Sequence, residues 1–310
     1  MGMPVRLVLY AERELEARTA ARASFDRIAA LDAALSDYRP DSEVNRVSNQ
    51  AGAWVAVSPD LLEVLSEARR IAEATGGAFD PTIGALVALW RDARREGRLP
   101  ASDAIAAARA RVGWRHLLID DARRAVRLDR PGMRLDLGGI AKGFILDEAR
   151  AAARRTGVTR VRIEAGGDIV AGDAPPGLRG WTVEVPGVTG VLAGRAAAFA
   201  NAALATSGPT LQFVEIDGVR YSHVVNPATG YGLTRRAVVH VMDPDGATAD
   251  ALATAIGVLG LDCAGPTLRL FPGAIAAETG EGRARCSAAD PVVAGGGTPL
   301  LDQLDQRHLP

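Results

Sequence analysis

The chain has 310 residues, 48% of them hydrophobic and 24% charged, enough to bury the core of one large domain or two closely packed lobes. Formal net charge is −1, from 36 basic and 37 acidic residues, so there is no basic field of the kind that binds nucleic acid. Its two cysteines form no CxxC or Cys/His cluster, which argues against a zinc site and leaves the redox compartment open. Residues 5–11 are apolar and β-branched and read as a strand. Residues 12–35, rich in Ala, Leu, Glu and Arg, read as a long amphipathic helix, followed by a polar, proline-punctuated loop over 35–42. Ser58, Pro59 and Asp60 start the next helix: Ser58 can cap it, Pro59 suits its first turn and Asp60 complements its dipole. Gly76 and Gly77 stop that helix, and Asp80 lies in a loop between helices.

Residues 102–112 read as a further short helix. Residues 116–119, 125–128 and 133–137 read as strands; Gly138 and Gly139 break the last, and 140–155 returns to helix. A strand over 158–164 ends in Gly166-Gly167-Asp168. More strands are expected at 181–185, around 211–225 with a turn at Asp217-Gly218, and at 237–242. A loop at 243–246 leads to a helix over 247–259, and the tail from about Gly280 reads as irregular. Strand pairs joined by short turns, set among long helices, point to an α+β fold with mixed or antiparallel sheets rather than a doubly wound parallel one. No apolar run reaches the length of a membrane span and no secretory signal precedes the first strand. Either the chain works in the cytosol or a targeting segment lies outside this sequence.

Four stretches hold residues that can carry chemistry. RLDLGGIAKG at 134–143 brings Asp136 to a glycine pair, then a helix N-terminus with free N–H groups and the charge of Lys142, a combination suited to phosphate. By itself it is as readily a tight turn. TADALAT at 248–254 sets Asp250 and Thr254 at i and i+4, two hard oxygens on one helix face, as Mg²⁺ prefers. Asp250 read alone is an ordinary charge near a helix start. ATSG at 205–208 precedes YSHVVNPATG at 221–230, where His223, one of four histidines, has the pKa range of a general base. GGAFDPTIG at 76–84 places Asp80 where it can contact a ligand or cap the helix after Pro81. Nucleophile-elbow, HExxH, Walker and dinucleotide fingerprints are absent.

Taken in order, these blocks, with LSDYRPDSEVNRVSN at 35–49, which looks like the family's first flavin-contacting loop, and the glycine-glycine-aspartate at 166–168, resemble the FAD:protein FMN transferase family, ApbE, over about residues 1–276. The resemblance implies a two-lobed, T-fold-like α+β domain over 1–280 with an irregular tail over 281–310. It implies Mg²⁺ held by the Asp250 carboxylate, the Thr254 hydroxyl and the Gly139 carbonyl. Tyr38, Ala78, Phe79, Asp80, Asp136, Lys142 and His223 fall at its flavin- or nucleotide-contacting positions, and His223 at its histidine near the reacting phosphate. The implied reaction moves the FMN half of FAD to a Thr or Ser hydroxyl of an acceptor protein and releases AMP. Acceptors in the family are flavin-carrying subunits of membrane redox pumps and related electron-transfer proteins, and its members are typically periplasmic or membrane-anchored. Hydrolysis of FAD to FMN and AMP, or FAD binding without chemistry, are the alternatives. Two positions depart from the family pattern: Asn226 stands where Asp is usual, and Met3 where Thr is usual.

Overall fold

The computed structural model describes residues 2–184, 196–208 and 213–281. In chain order it contains β1 (Val5–Tyr10), α1 (Glu14–Leu35), α2 (Glu43–Asn49), β2 (Val55–Ala56), α3 (Pro59–Ala74), α4 (Gly84–Glu96) and α5 (Ser102–Arg109). Then come β3 (Leu117–Asp120), β4 (Ala125–Leu128), α6 (Ala141–Arg155), β5 (Arg160–Ala165), β6 (Asp168–Ala171), β7 (Trp181–Glu184), β8 (Ala196–Phe199) and β9 (Ala202–Ser207). The chain continues through β10 (Phe213–Ile216), β11 (Val219–Ser222), β12 (Arg236–Asp243), α7 (Gly246–Leu259), α8 (Gly265–Arg269) and β13 (Ile275–Glu281).

The central sheet runs β1-β5-β6-β9-β12-β13 with every neighbouring pair antiparallel. Its two faces follow from the two-residue period of the strands. On β12, Val239 and Val241 join the main core with Leu252 and Ile256 of α7, while Met242 packs toward Trp181 and Phe199 of the β7–β8 hairpin. Helices α6 and α7 lie on the first face, α1 packs on α6, and α3 on α7. Helix α7 is buried from Gly246 through Ala253, as its nearly uninterrupted small and apolar sequence requires of a helix wrapped on all sides. It can approach α6 closely only because Gly143 and Gly246 lack side chains: a Cβ on Gly143 would stand 1.9 Å from the Gly246 carbonyl oxygen.

A smaller core forms around Leu86 and Trp90 of α4, Ile105 and Ala108 of α5, and Val225 beyond the β10–β11 hairpin. Trp90 packs on Tyr221 with ring centroids 5.1 Å apart, and its indole Nε1 donates to the Gly230 carbonyl at 2.8 Å. Among the described residues there are thus three apolar clusters: the main core, this smaller one, into which α4 leads, and a third between the outer face of the central sheet and the β7–β8 hairpin. The remaining small sheet, β2-β4-β3, lies beside α2 and α3.

The local signals for α3 act as read: Ser58 Oγ accepts from the Leu61 amide, Pro59 opens the helix, and Gly76 and Gly77 take positive φ beyond its end. Asp217 and Gly218 both have positive φ in the β10–β11 turn. Two readings are corrected. Residues 133–137 are not a strand of a sheet. Met133, Leu135 and Leu137 alternate inward, but the backbone bonds to the 81–84 loop and to Ser48, with a single bridge between Ile83 and Arg134. Residues 43–49 are helix α2, capped by Ser42, rather than a continuation of the preceding loop. Strand β13 runs to Glu281, across the expected start of the tail at about Gly280. The rest of the tail, Cys286, Val185 and Leu211 lie outside the described residues. Among the described residues no helix is long and apolar enough to cross a membrane.

Candidate active site

The glycine pair at 138–139 turns the chain into α6 and presses that turn against α7. A Cβ on Gly139 would stand 2.8 Å from Thr254 Oγ1, so a bare backbone is needed for the turn to sit beside this hydroxyl. One α-helical turn before Thr254, Asp250 is 2% exposed. Lys142, the second residue of α6, places Nζ 2.6 Å from Asp250 Oδ1 and 2.9 Å from Asp168 Oδ2 at the start of β6. Asp250 Oδ2 also accepts from the Gly143 amide at 3.3 Å, and Asp168 Oδ1 from the Thr206 amide of β9 at 3.0 Å. Four elements distant in sequence are therefore joined by one ammonium and two carboxylates.

The electrostatics follow from that burial. Desolvation works against the Lys142 ammonium, but Asp250 and then Asp168 outweigh it and hold its pKa above the ordinary lysine value. Burial pushes the Asp168 carboxyl up to about 6, with Lys142 opposing the rise and Asp250 adding to it. Asp250 and Thr254 stand one turn apart on α7, the Gly139 turn lies against Thr254, and Lys142 links the Asp250 carboxylate to that of Asp168. Oxygen donors of this kind suit a small hard cation such as Mg²⁺, which needs only one or two protein carboxylates when phosphate and water complete its shell. Among the described residues no group of three or more His, Cys, Asp and Glu side chains is placed to hold a metal. A cation here would thus depend on the hydroxyl, the backbone and the substrate.

A second group flanks the same turn. Asp136 Oδ1 accepts from the Gly138 amide at 2.9 Å, and its Oδ2 lies 3.3 Å from Arg91 of α4. Burial, reinforced by Asp37, raises the Asp136 pKa, against the pull of the Gly138 amide and Arg91. Arg91 also bridges to Asp37 at 2.5 Å and lies over the Tyr38 ring, 4.2 Å from its centroid. Tyr38 itself remains 74% exposed.

The other expected site residues have different surroundings. Asp80 is buried and its oxygens hold a turn: Oδ1 accepts from the Thr82 amide and hydroxyl, Oδ2 from the Trp114 amide. Burial raises its pKa despite those donors. Phe79 belongs to the main core and Ala78 packs against it. His223 is exposed immediately after β11, on the hairpin that packs against the smaller core. Asn226 Oδ1 accepts from the Ala228 and Thr229 amides, so it closes the turn that Gly230 and Trp90 then fasten. Met3 lies over the Gly166 turn, where a Cβ on Gly166 would meet its sulfur at 2.5 Å.

Sequence reasoning reaches Asp168 only within a Gly166-Gly167-Asp168 stretch that can cradle a ligand or simply turn, and does not single out Arg91 or Asp37. Asp168 had a signal, a carboxylate directly after a strand-ending glycine pair, but its lysine partner is 26 positions away. Arg91 and Asp37 had none, being one arginine and one aspartate among many.

Known proteins share this arrangement of chain. Residues 1–277 match the model of the ApbE family. A protein of Treponema pallidum named FAD:protein FMN transferase is 34% identical over 291 residues, covering 88% of this chain and 80% of that protein. One of the same name from Vibrio cholerae is 36% identical over 233 residues, 73% of this chain and 69% of the relative. The crystal structure of the ApbE protein from Thermotoga maritima superposes with a TM-score of 0.79 at 32% identity, covering 89% of this chain and 90% of that one. Agreement that runs over residues 1–277, at this level of identity, makes the assignment plain: the chain belongs to the ApbE family.

Proposed function

We propose that this chain is an FAD:protein FMN transferase that moves the FMN half of FAD to a Thr or Ser hydroxyl of an acceptor protein and releases AMP. The observation that carries the reading is the Gly138-Gly139 turn, which brings a helix N-terminus, the Lys142 ammonium and the Asp250–Thr254 oxygens to one place. Helix N-termini and ammonium groups hold phosphate, and grouped oxygens hold the cation that accompanies it. The names of the relatives support the substrate and the protein acceptor. Flavin-carrying subunits of membrane redox complexes and electron-transfer proteins are the acceptor class we favour.

Gly139, Asp250 and Thr254 would hold Mg²⁺, and the bound ion would draw off charge that develops on the transferring phosphoryl group. Lys142, in the first turn of α6, and the positive end of that helix orient the pyrophosphate. The acceptor oxygen forms a bond to the FMN-side phosphorus as the bond to the AMP oxygen breaks, and AMP leaves with that electron pair. His223 takes the hydroxyl proton; its exposure suits a group that must meet an incoming protein. Asp80, with its oxygens engaged in the turn, acts by fixing the wall formed with Ala78 and Phe79. Asn226 supplies the amide-accepting oxygen that an aspartate would supply in the same turn, so the fold of this loop does not require the carboxylate.

Incubation with FAD, Mg²⁺ and a candidate acceptor tests the proposal. Flavin fluorescence on the acceptor band, with stoichiometric AMP, is the expected result. Free FMN and AMP without labelling would identify a hydrolase. Stable FAD binding without AMP release would identify a carrier, and either outcome would overturn transfer.

A further inference from the structure

Tyr38 is the most exposed aromatic side chain among the described residues, yet the backbone on either side of it is pinned and one face of its ring is covered. Its flanking carbonyls, those of Asp37 and Arg39, both accept from the Asn45 side-chain amide at 2.8 Å. Asn45 is itself buried on α2, and Ser42 caps that helix. One face of the ring is covered by the Arg91 guanidinium, yet the side chain stays 74% exposed. Arg91 in turn is clamped between Asp37 and Asp136, and Asp136 binds the Gly138 amide of the candidate phosphate turn. An exposed tyrosine ordinarily pays rotamer entropy when it is immobilised, and a ring already oriented by a cation and a pinned backbone avoids most of that cost on binding.

We infer that Arg91 is a positioning residue for the FAD-binding site: it holds Tyr38 as a preformed stacking platform for a ring system of the dinucleotide. This inference rests on the proposed flavin transferase reading. Arg91 has a second effect through charge. It lies between two carboxylates next to the turn proposed to receive a pyrophosphate, and without it Asp37 and Asp136 would face that anion uncompensated. No substrate atom need touch Arg91 for either effect.

Affinity measured without turnover tests the inference. The full chain, Arg91→Gln, Arg91→Lys, Tyr38→Ala and the Arg91→Gln/Tyr38→Ala pair are titrated with FAD in the absence of Mg²⁺, following flavin fluorescence. Parallel titrations use FMN and ADP, followed calorimetrically. Thermal unfolding verifies that each variant is folded, and Arg91→Lys, which keeps the charge but not the planar fork, serves where Arg91→Gln is not. Arg91→Gln is expected to weaken FAD about tenfold, and Arg91→Lys by less. Tyr38→Ala should add less than about twofold on top of Arg91→Gln, because the two act as one unit. Loss concentrated in the FMN titration or in the ADP titration supports the platform and identifies which ring it carries. Single-variant effects that multiply in the double variant, or an Arg91→Gln affinity equal to that of the unaltered chain, would overturn it. Failure of the unaltered chain to bind FAD would sink the transferase reading as well, which separates the two failures.

Discussion

At the residue scale, Asp250 does two things at once. It is a partner of Lys142 and the Gly143 amide, and it is the carboxylate of the proposed metal group. Removing it leaves Lys142 with Asp168 alone and leaves a hydroxyl and a backbone oxygen as the remaining protein donors beside that second carboxylate. Asp250→Ala is therefore expected to abolish Mg²⁺-dependent flavin transfer. The measurement is labelling of the acceptor across a Mg²⁺ titration, and labelling at the unaltered rate would refute the metal assignment. Asn226 is the opposite case. Its side-chain oxygen is already engaged by two turn amides, so this departure from the family pattern leaves the local structure intact.

At the element scale, the contact between α6 and α7 decides whether Lys142 and Asp250 meet. With a Cβ on Gly143 standing 1.9 Å from a backbone oxygen, Gly143→Ala must push the helices apart. Overpacking of this kind costs about 3 kcal/mol. A lowered midpoint in urea unfolding and a weakened FAD affinity should appear together, and a variant as stable as the parent would show that the helices have room to separate. The α7 N-terminus has a further dependence on α6. Asp147 Oδ2 accepts from the Gly246 and Ala247 amides, and its Oδ1 pairs with Arg150. Burial, with Asp245 adding to it, pushes this carboxyl up to about 7, against the pull of Arg150 and the two amides. The unfolded chain releases that proton near the ordinary aspartate pKa, whereas the folded chain keeps it up to about 7. Its contribution to stability is thus present at low pH and falls as pH rises through that window. Asp147→Asn, which keeps an acceptor for the Gly246 amide, should flatten this part of a plot of Tm against pH. An unchanged slope between about pH 4 and 7 would rule Asp147 out as its source.

At the scale of the whole molecule, the main core and the smaller core around Trp90 are joined through α4, which starts at the 134–135 carbonyls and ends in the smaller core. Arg27 fastens the other side: its guanidinium binds Asp60 of α3 and Glu148 of α6 at once, tying three helices of the main core together. A ligand seated at the glycine turn would touch elements from both halves and stabilise the folded state by mass action. FAD and Mg²⁺, each at about a hundred times its dissociation constant, should each add about 2.7 kcal/mol, or roughly 5 °C in Tm. Thermal scans with each ligand separately and together measure this. In Asp250→Ala the increment due to Mg²⁺ should vanish while that due to FAD alone remains.

How much of this was legible depends on the range over which each group finds its partner. Helix starts and stops were readable because caps are satisfied within three or four residues, as at Ser58 and at Gly76-Gly77. The segment at 133–137 was misread because alternating burial reports which side chains face a core, not whether a second strand lies alongside. Its backbone partners turned out to be a loop and a serine hydroxyl. The sequence by itself determined the α+β class, the order of the motif blocks and the family they resemble, since each block is a short local pattern. Only the tertiary structure decided which side chains stand together. The Lys142 charge is matched by carboxylates 26 and 108 positions away, and Tyr38 by an arginine 53 positions away. Those pairings exist because the sheet and the glycine contacts between helices fix distances that no local pattern encodes.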